Sequence, residues 1–208
     1  MMARIVHLTL KPVGLDMCTN KIRSYGFTLI ELMVTITVAA VLMSVAVPSF
    51  VDFQRNSELT SATNTLTASL NAARSEAMKH GTNAMVVPTD SSAWRNGWRV
   101  FVDKNLNQEF DAGVDALVLE QPGVANFLEI SGNGSSNESP PYVLYNGSGY
   151  SRVKSGGFGA LTFTIKRNDV PSVRTAEQTR RLIVSRTGRV RSCRPALEAA
   201  TCKENSTD

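Results

Sequence analysis

Seven arginines and no lysine lie between Arg174 and Arg194, with Glu177 the one acid among them. A guanidinium is planar and carries a fork of donors, so an arginine-only cluster suits bidentate recognition of an anion such as phosphate. Within the cluster, Arg186-Thr-Gly188-Arg189-Val190-Arg191 reads as strand, tight turn, strand. Gly188 supplies the turn, and alternation along the second strand sets Arg189 and Arg191 on one face with Val190 turned inward. Arginines on an exposed strand also occur as a plain solvated face, or as partners for acids. Segment 81–149, with 3 bases against 8 acids, is one place where such acids lie.

A second chemical feature is a carboxylate inside an apolar run. Phe27 to Val47 reads FTLIELMVTITVAAVLMSVAV, 21 residues whose one ionisable side chain is Glu31. As a helix the run covers about 31 Å, the hydrocarbon thickness of a bilayer, and it is too long for the core of a cleaved secretory signal. A carboxylate there costs a few kcal/mol unless something pairs with it, which marks it as functional by default. Lys21 and Arg23 precede the run, so residues 1–26 are expected on the cytoplasmic side and the remainder outside.

The stretch Ser24-Tyr25-Gly26-Phe27-Thr28-Leu29-Ile30-Glu31-Leu32 resembles the class III signal of type IV pilins and of the pseudopilins of type II secretion. The resemblance implies that prepilin peptidase cuts after Gly26 and methylates the new N-terminus at Phe27. Glu31 is then the acid at mature position five, and Pro48 falls at mature position 22. The physics agrees, because cleavage leaves an α-amino cation in an apolar layer, where Glu31 of a staggered neighbour can neutralise it. A leader of 26 residues is long for this family, and Met17 offers an alternative start to Met1, with a ten-residue leader ending at the same glycine.

Loss of residues 1–26 takes Cys18 with it and leaves Cys193 and Cys202, nine positions apart. In an oxidising periplasm the pair is expected to close a disulfide worth roughly 2.5–3 kcal/mol in the chain-entropy model. Free thiols or a metal site are the alternatives, but no CxxC or HxxxH accompanies them and His80 is the one mature histidine. No P-loop, GxSxG or metal-ligand cluster is present, so neither an enzyme nor a cofactor is expected.

The elements that must carry these residues are legible from periodicity. Leu59, Ala62, Leu66, Leu70, Ala73 and Ala77 recur at spacings of three and four, a helical stripe, with the intervening Ser, Thr and Asn toward solvent. Residues 27–80 are therefore expected as one long helix, kinked at Pro48 and closed by Gly81 after Lys79 and His80. Beyond it, strands are expected at 84–87, 98–102, 116–119, 127–130, 142–145, 161–165, 181–185 and 189–193, with 131–141 and 146–159 as loops. The expected fold class is α+β and pilin-like, a long N-terminal α-helix packed on a C-terminal antiparallel sheet or sandwich head. The expected divisions are a cleaved leader at 1–26, a transmembrane and filament-core half-helix at 27–53, and a soluble head at 54–208. Asp103 to Asp111 resembles the start of a calcium loop, but Gln108 replaces its turn glycine and Val114 its bidentate Glu, and Asx-rich turns read alike. No metal is expected there.

Charge is polarised along the chain. Segments 27–80, 81–149 and 150–208 carry −1, −5 and +7. The W-x-x-G-W-x-V-F-x-D stretch from Trp94 to Asp103 resembles the GspH/FimT branch of the pilin superfamily, and Gly188-Arg189-Val190-Arg191 resembles the GRxR motif of FimT-type minor pilins that bind DNA during natural transformation. Same-face strand neighbours stand roughly 6.8 Å apart, about twice the ~3.4 Å phosphate spacing of one DNA strand. The resemblance implies a minor pilin that takes up double-stranded DNA without sequence preference through Arg186, Gly188, Arg189 and Arg191. The chain offers no recognition helix or spaced stacking aromatics. Its implied partners are prepilin peptidase, major and minor pilins, the inner membrane and DNA, with the head in the periplasm before assembly into a filament. The alternative is a GspH-type pseudopilin of a type II secretion system with a structural role.

Overall fold

The computed structural model describes residues 26–204. The leader up to Tyr25, with Met17, Cys18, Lys21 and Arg23, lies outside the described residues. Helix α1 (Leu29–His80) begins with a cap that its sequence specifies: Thr28 Oγ1 accepts the Glu31 N–H at 3.2 Å. It ends where Gly81 turns left-handed at φ 64° and the Thr82 N–H reaches back to the Ala77 carbonyl at 3.2 Å. Two compact units divide the chain, Met1–Ala46 and Val47–Asp208.

In the first unit the described residues are mostly apolar and exposed, in a helix long and apolar enough to cross a membrane. Its few hydroxyls are satisfied internally. Thr35, Thr37 and Ser44 donate to the carbonyls of Leu32, Met33 and Val41 at 2.8, 2.7 and 2.7 Å, as a segment surrounded by hydrocarbon requires.

Among the described residues the second unit contains nine strands: β1 (Asn83–Pro88), β2 (Gly97–Asp103), β3 (Ala116–Pro122), β4 (Leu128–Gly132), β5 (Val143–Tyr145), β6 (Ser151–Arg152), β7 (Leu161–Arg167), β8 (Thr179–Val184) and β9 (Val190–Cys193). They form two antiparallel sheets, ordered β3-β2-β1-β5-β6 and β4-β7-β8-β9. Both sheets send alternate residues to the α1 stripe. Leu59, Leu66, Leu70, Ala73 and Ala77 join Val86, Trp98, Val100, Phe163, Leu182 and Val184 in one buried cluster. The opposite faces are covered locally, Met85, Phe101 and Leu144 by Tyr142 and Phe110, and Ile183 by the Cys193–Cys202 bridge. Among the described residues every core side chain of this unit lies between Leu59 and Cys202, so its core is complete without the apolar segment.

Three expectations change. The helix face is wider than its aliphatic stripe, because Thr63 and Ser69 are buried rather than solvent-facing. Ser69 Oγ accepts the Trp98 Nε1–H at 2.9 Å, and Thr63 Oγ1 donates to the Leu59 carbonyl at 2.7 Å. The 146–159 stretch, read as a loop, contains β6, a two-residue edge strand too short for any periodicity to announce. The last strand starts at Val190 and not Arg189, since the ladder with β8 opens at the Val184–Val190 pair.

An ion network fastens α1 to the sheet. The Arg167 side chain, about 1% exposed, donates through Nε and Nη2 to the two oxygens of Asp169 at 2.9 and 2.7 Å and through Nη2 to Asp52 Oδ1 at 3.0 Å. Arg55 adds a 2.6 Å contact to Asp169. Bidentate carboxylate partners of this kind offset the cost of burying the guanidinium.

Candidate nucleic-acid interface

The turn joining β8 to β9 is a compact object. The Gly188 N–H donates to the Ser185 carbonyl at 2.9 Å, the Ser185 N–H to the Arg189 carbonyl at 3.0 Å, and the Arg189 N–H to Ser185 Oγ at 3.2 Å. Gly188 sits at φ 80°, where a side chain is strained, and a Cβ there would collide with the Gly149 carbonyl oxygen. Arg74 of α1 locks the arrangement by donating to the Gly149 and Thr187 carbonyls, each at 3.0 Å. Arg189, Arg191, Ser185, Thr187 and Ile183 line a shallow cleft of about 200 Å³, while Val190 packs against the core cluster. Arg189 and Arg191 thus flank one cleft, although Arg189 belongs to the turn.

The arginines of this segment divide by what they touch. Arg174 pairs with Asp52 at 3.4 Å and Glu177 at 3.8 Å. Arg180 is buried and reaches Asn56 at 3.2 Å; burial, with the Arg194 charge second, lowers its pKa. Arg181 donates to the Cys202 carbonyl at 2.6 Å. These three hold the head together. Arg186 and Arg189 are exposed and have no ion pair among the described residues. Arg191 is intermediate, because Nη2 donates to the Thr201 carbonyl at 2.9 Å and Nη1 lies 3.8 Å from Glu198.

Cys193 and Cys202 form a disulfide with Cα atoms 5.8 Å apart. The bridge folds the tail against β9 and brings Thr201 and Glu198 to Arg191. Sequence reasoning missed Arg74 and the neighbouring hairpin. Ser151 donates its N–H to the Arg186 carbonyl at 3.1 Å, which places Tyr150, Arg152 and Phe158 beside the turn. Tyr150 and Phe158 are both exposed aromatics, so two rings stand beside the arginines, a neighbourhood the sequence reading did not anticipate. Only a contact between residues 35 positions apart, Ser151 and Arg186, could reveal it.

The remaining sequence-marked residues lie elsewhere. Gly26 and Phe27 precede α1, Phe27 exposed, and Glu31 stands in its first turn. In the Asx-rich loop, Asp103 Oδ2 accepts the Gln108 N–H at 3.0 Å, and Asp115 accepts the Lys104 and Asp111 N–H groups at 3.0 and 2.8 Å. Asn105 and Asn107 donate to Asp111 Oδ2 at 2.8 and 2.6 Å. Burial, opposed by the backbone N–H groups of Gln108, Leu106 and Asn107 and reinforced by the Asp115 charge, pushes the Asp103 carboxyl pKa up. The loop brings Phe110 over the outer cluster, its ring centroid 5.2 Å from that of Phe101. Among the described residues no three His, Cys, Asp or Glu side chains converge to hold a metal ion.

Residues 62–188 match the family described as type II transport protein GspH, and residues 21–47 match the prokaryotic N-terminal methylation motif. No curated protein is significantly similar to the chain. Crystal structures of the type IV minor pilin FimU from Pseudomonas aeruginosa PAO1 share the fold. One form is 20% identical with a TM-score of 0.51, covering 69% of this chain and 94% of FimU; a second is 20% identical with a TM-score of 0.50, covering 66% and 94%. The minor pseudopilin EpsH of the Vibrio cholerae type 2 secretion system matches at 14% identity and a TM-score of 0.43, over 65% of this chain and 95% of EpsH. The family match ends at Gly188, so Arg189, Arg191 and the disulfide lie beyond it. With a GspH domain covering most of its head behind a methylation motif, this chain belongs to the GspH family.

Proposed function

We propose that this subunit is a minor pilin that binds extracellular double-stranded DNA, without sequence preference, for uptake in natural transformation. The observation that carries the reading is the β8–β9 turn, which presents Arg186 and Arg189 without ion-pair partners among the described residues, beside Arg191. Gly188, Arg74 and the disulfide preorganise that turn. Arginine contacts to phosphate position a protein on the backbone and carry no base readout. In this reading prepilin peptidase cuts after Gly26 and methylates Phe27. Glu31 neutralises a neighbouring terminus, and the head waits on the periplasmic side until the subunit joins major and minor pilins. The protein is a binding subunit and not an enzyme.

One observation favours the second reading, a pseudopilin with a structural role: Arg191 has contacts inside its own tail, at Thr201 and Glu198. Titrating the full chain in uncharged detergent micelles with duplex DNA over a range of salt separates the two. Arg189→Gln with Arg191→Gln is expected to lower the log–log salt slope by up to about two, at ~0.9 per phosphate contact. A double variant that binds like the parent removes the turn as the site, and a parent that does not bind at low salt leaves the structural reading.

A further inference from the structure

The arginine turn shares its end of the head with two exposed aromatic rings. Tyr150 is 41% exposed and Phe158 is 56% exposed, in a unit whose other large aromatics mostly serve the core. Arg152 pairs with Phe158 across an antiparallel bridge, and Tyr150 lies two residues before Arg152, so all three side chains leave the same face of the ribbon. Ser151, between them, is buried on the other face. The two rings meet edge to face with centroids 5.6 Å apart, and the Arg152 guanidinium carbon lies 4.6 Å from the Phe158 centroid.

This ribbon is tied to the arginine turn. The Ser151 N–H bonds the Arg186 carbonyl at 3.1 Å, and the Arg74 guanidinium clamps Gly149 on one side and Thr187 on the other. Segments 146–159 and 185–194 contain no Asp or Glu. Rings and guanidiniums therefore occupy one corner built from chain segments that carry no acid.

We propose that this corner is a platform for single-stranded DNA, with phosphates on Arg186 and Arg189 and unpaired bases stacked on Tyr150 and Phe158. The inference rests on the proposed phosphate contact at the turn and adds a substrate class to it. A duplex keeps its bases stacked on one another and presents the rings only with backbone, whereas an unpaired base brings a free π face. Arg152, already against Phe158, contributes a cation–π contact to the same stack. Frayed ends and tailed duplexes are bound through the same surface.

The test titrates the full chain, in uncharged detergent micelles at one salt concentration, with a labelled single strand of about 15 nucleotides and with the blunt duplex of the same sequence. The parent is expected to bind the single strand at least about tenfold tighter, toward the lower part of the ~5–150-fold that one stacked base contributes. Tyr150→Ser with Phe158→Ser removes that preference and leaves duplex affinity within about twofold. Tyr150→Trp keeps a ring at the site, and because Trp94 and Trp98 are buried, the new indole reports on the platform. Its fluorescence is expected to be quenched by the single strand and not by the duplex. Equal affinity of the parent for both forms, an unchanged preference in the double-Ser variant, or an unquenched indole overturns the platform while duplex binding stands. Failure of the parent to bind either form overturns both this inference and the reading it rests on.

Discussion

Replacing Asp169 with Asn tests whether the buried guanidinium of Arg167 holds helix and head together through a charge. Arg167 hydrogen bonds come first in holding the Asp169 carboxyl down to about 2; burial opposes them and Arg55 assists. A carboxyl with a depressed folded pKa contributes stability above its unfolded value, here 3.8, and that contribution fades as pH falls through about 2. The depression of nearly two units, at ~1.36 kcal/mol each, corresponds to about 2 kcal/mol, with little screening because the Asp169 side chain is only 18% exposed. The variant also leaves Arg167, about 1% exposed, with Asp52 as its one anionic contact. At pH 7 the fragment 47–208, whose core is complete, should lose about 4–8 °C in Tm, using ~2–4 °C per kcal/mol for a unit of this size. Thermal unfolding followed by circular dichroism measures the gap between parent and variant, which should narrow between about pH 4 and pH 2 as Asp169 protonates in the parent. An unchanged Tm at pH 7, or a gap as wide at pH 2 as at pH 7, would refute the reasoning.

Gly188→Ala should destabilise the fragment by about 1–3 kcal/mol, since it strains a residue at φ 80° and strikes the Gly149 carbonyl; thermal unfolding checks this, and DNA affinity should fall with it because Arg189 moves. Glu198→Gln removes the carboxylate charge 3.8 Å from Arg191, so DNA binding at low salt should tighten, an increase that titration at one fixed salt concentration reads directly. Intact-mass measurement of membrane-extracted protein should show a chain that begins at Phe27 and carries one added methyl group.

How far the sequence reaches depends on the range of the interaction concerned. The helix stripe, its Gly81 terminus and most strands were legible because 3.6- and 2-residue periods are local consequences of burying one face. Ser69 and Thr63 were misread because their burial depends on what packs opposite, Trp98 for Ser69, and polarity alone could not show it. The disulfide was expected once the leader's cysteine was set aside. Its consequence for Arg191, an anchor in the tail through Thr201 and Glu198, was not, since that follows from where the closed loop lies.

By itself the sequence determined the apolar run with Glu31 and Gly26, the helix-then-strands order, the acid-poor arginine cluster and the cysteine pair, all properties of neighbouring residues. Only the tertiary structure decided which arginines are structural and which face solvent, because Arg174, Arg180 and Arg181 find Asp52, Asn56 and the tail through contacts distant in sequence. It alone set Tyr150 and Phe158 beside Arg186, through one backbone hydrogen bond from Ser151 and the two-sided grip of Arg74. A strand edge of two residues has no sequence period, so its neighbours are chosen by the packed head that surrounds it.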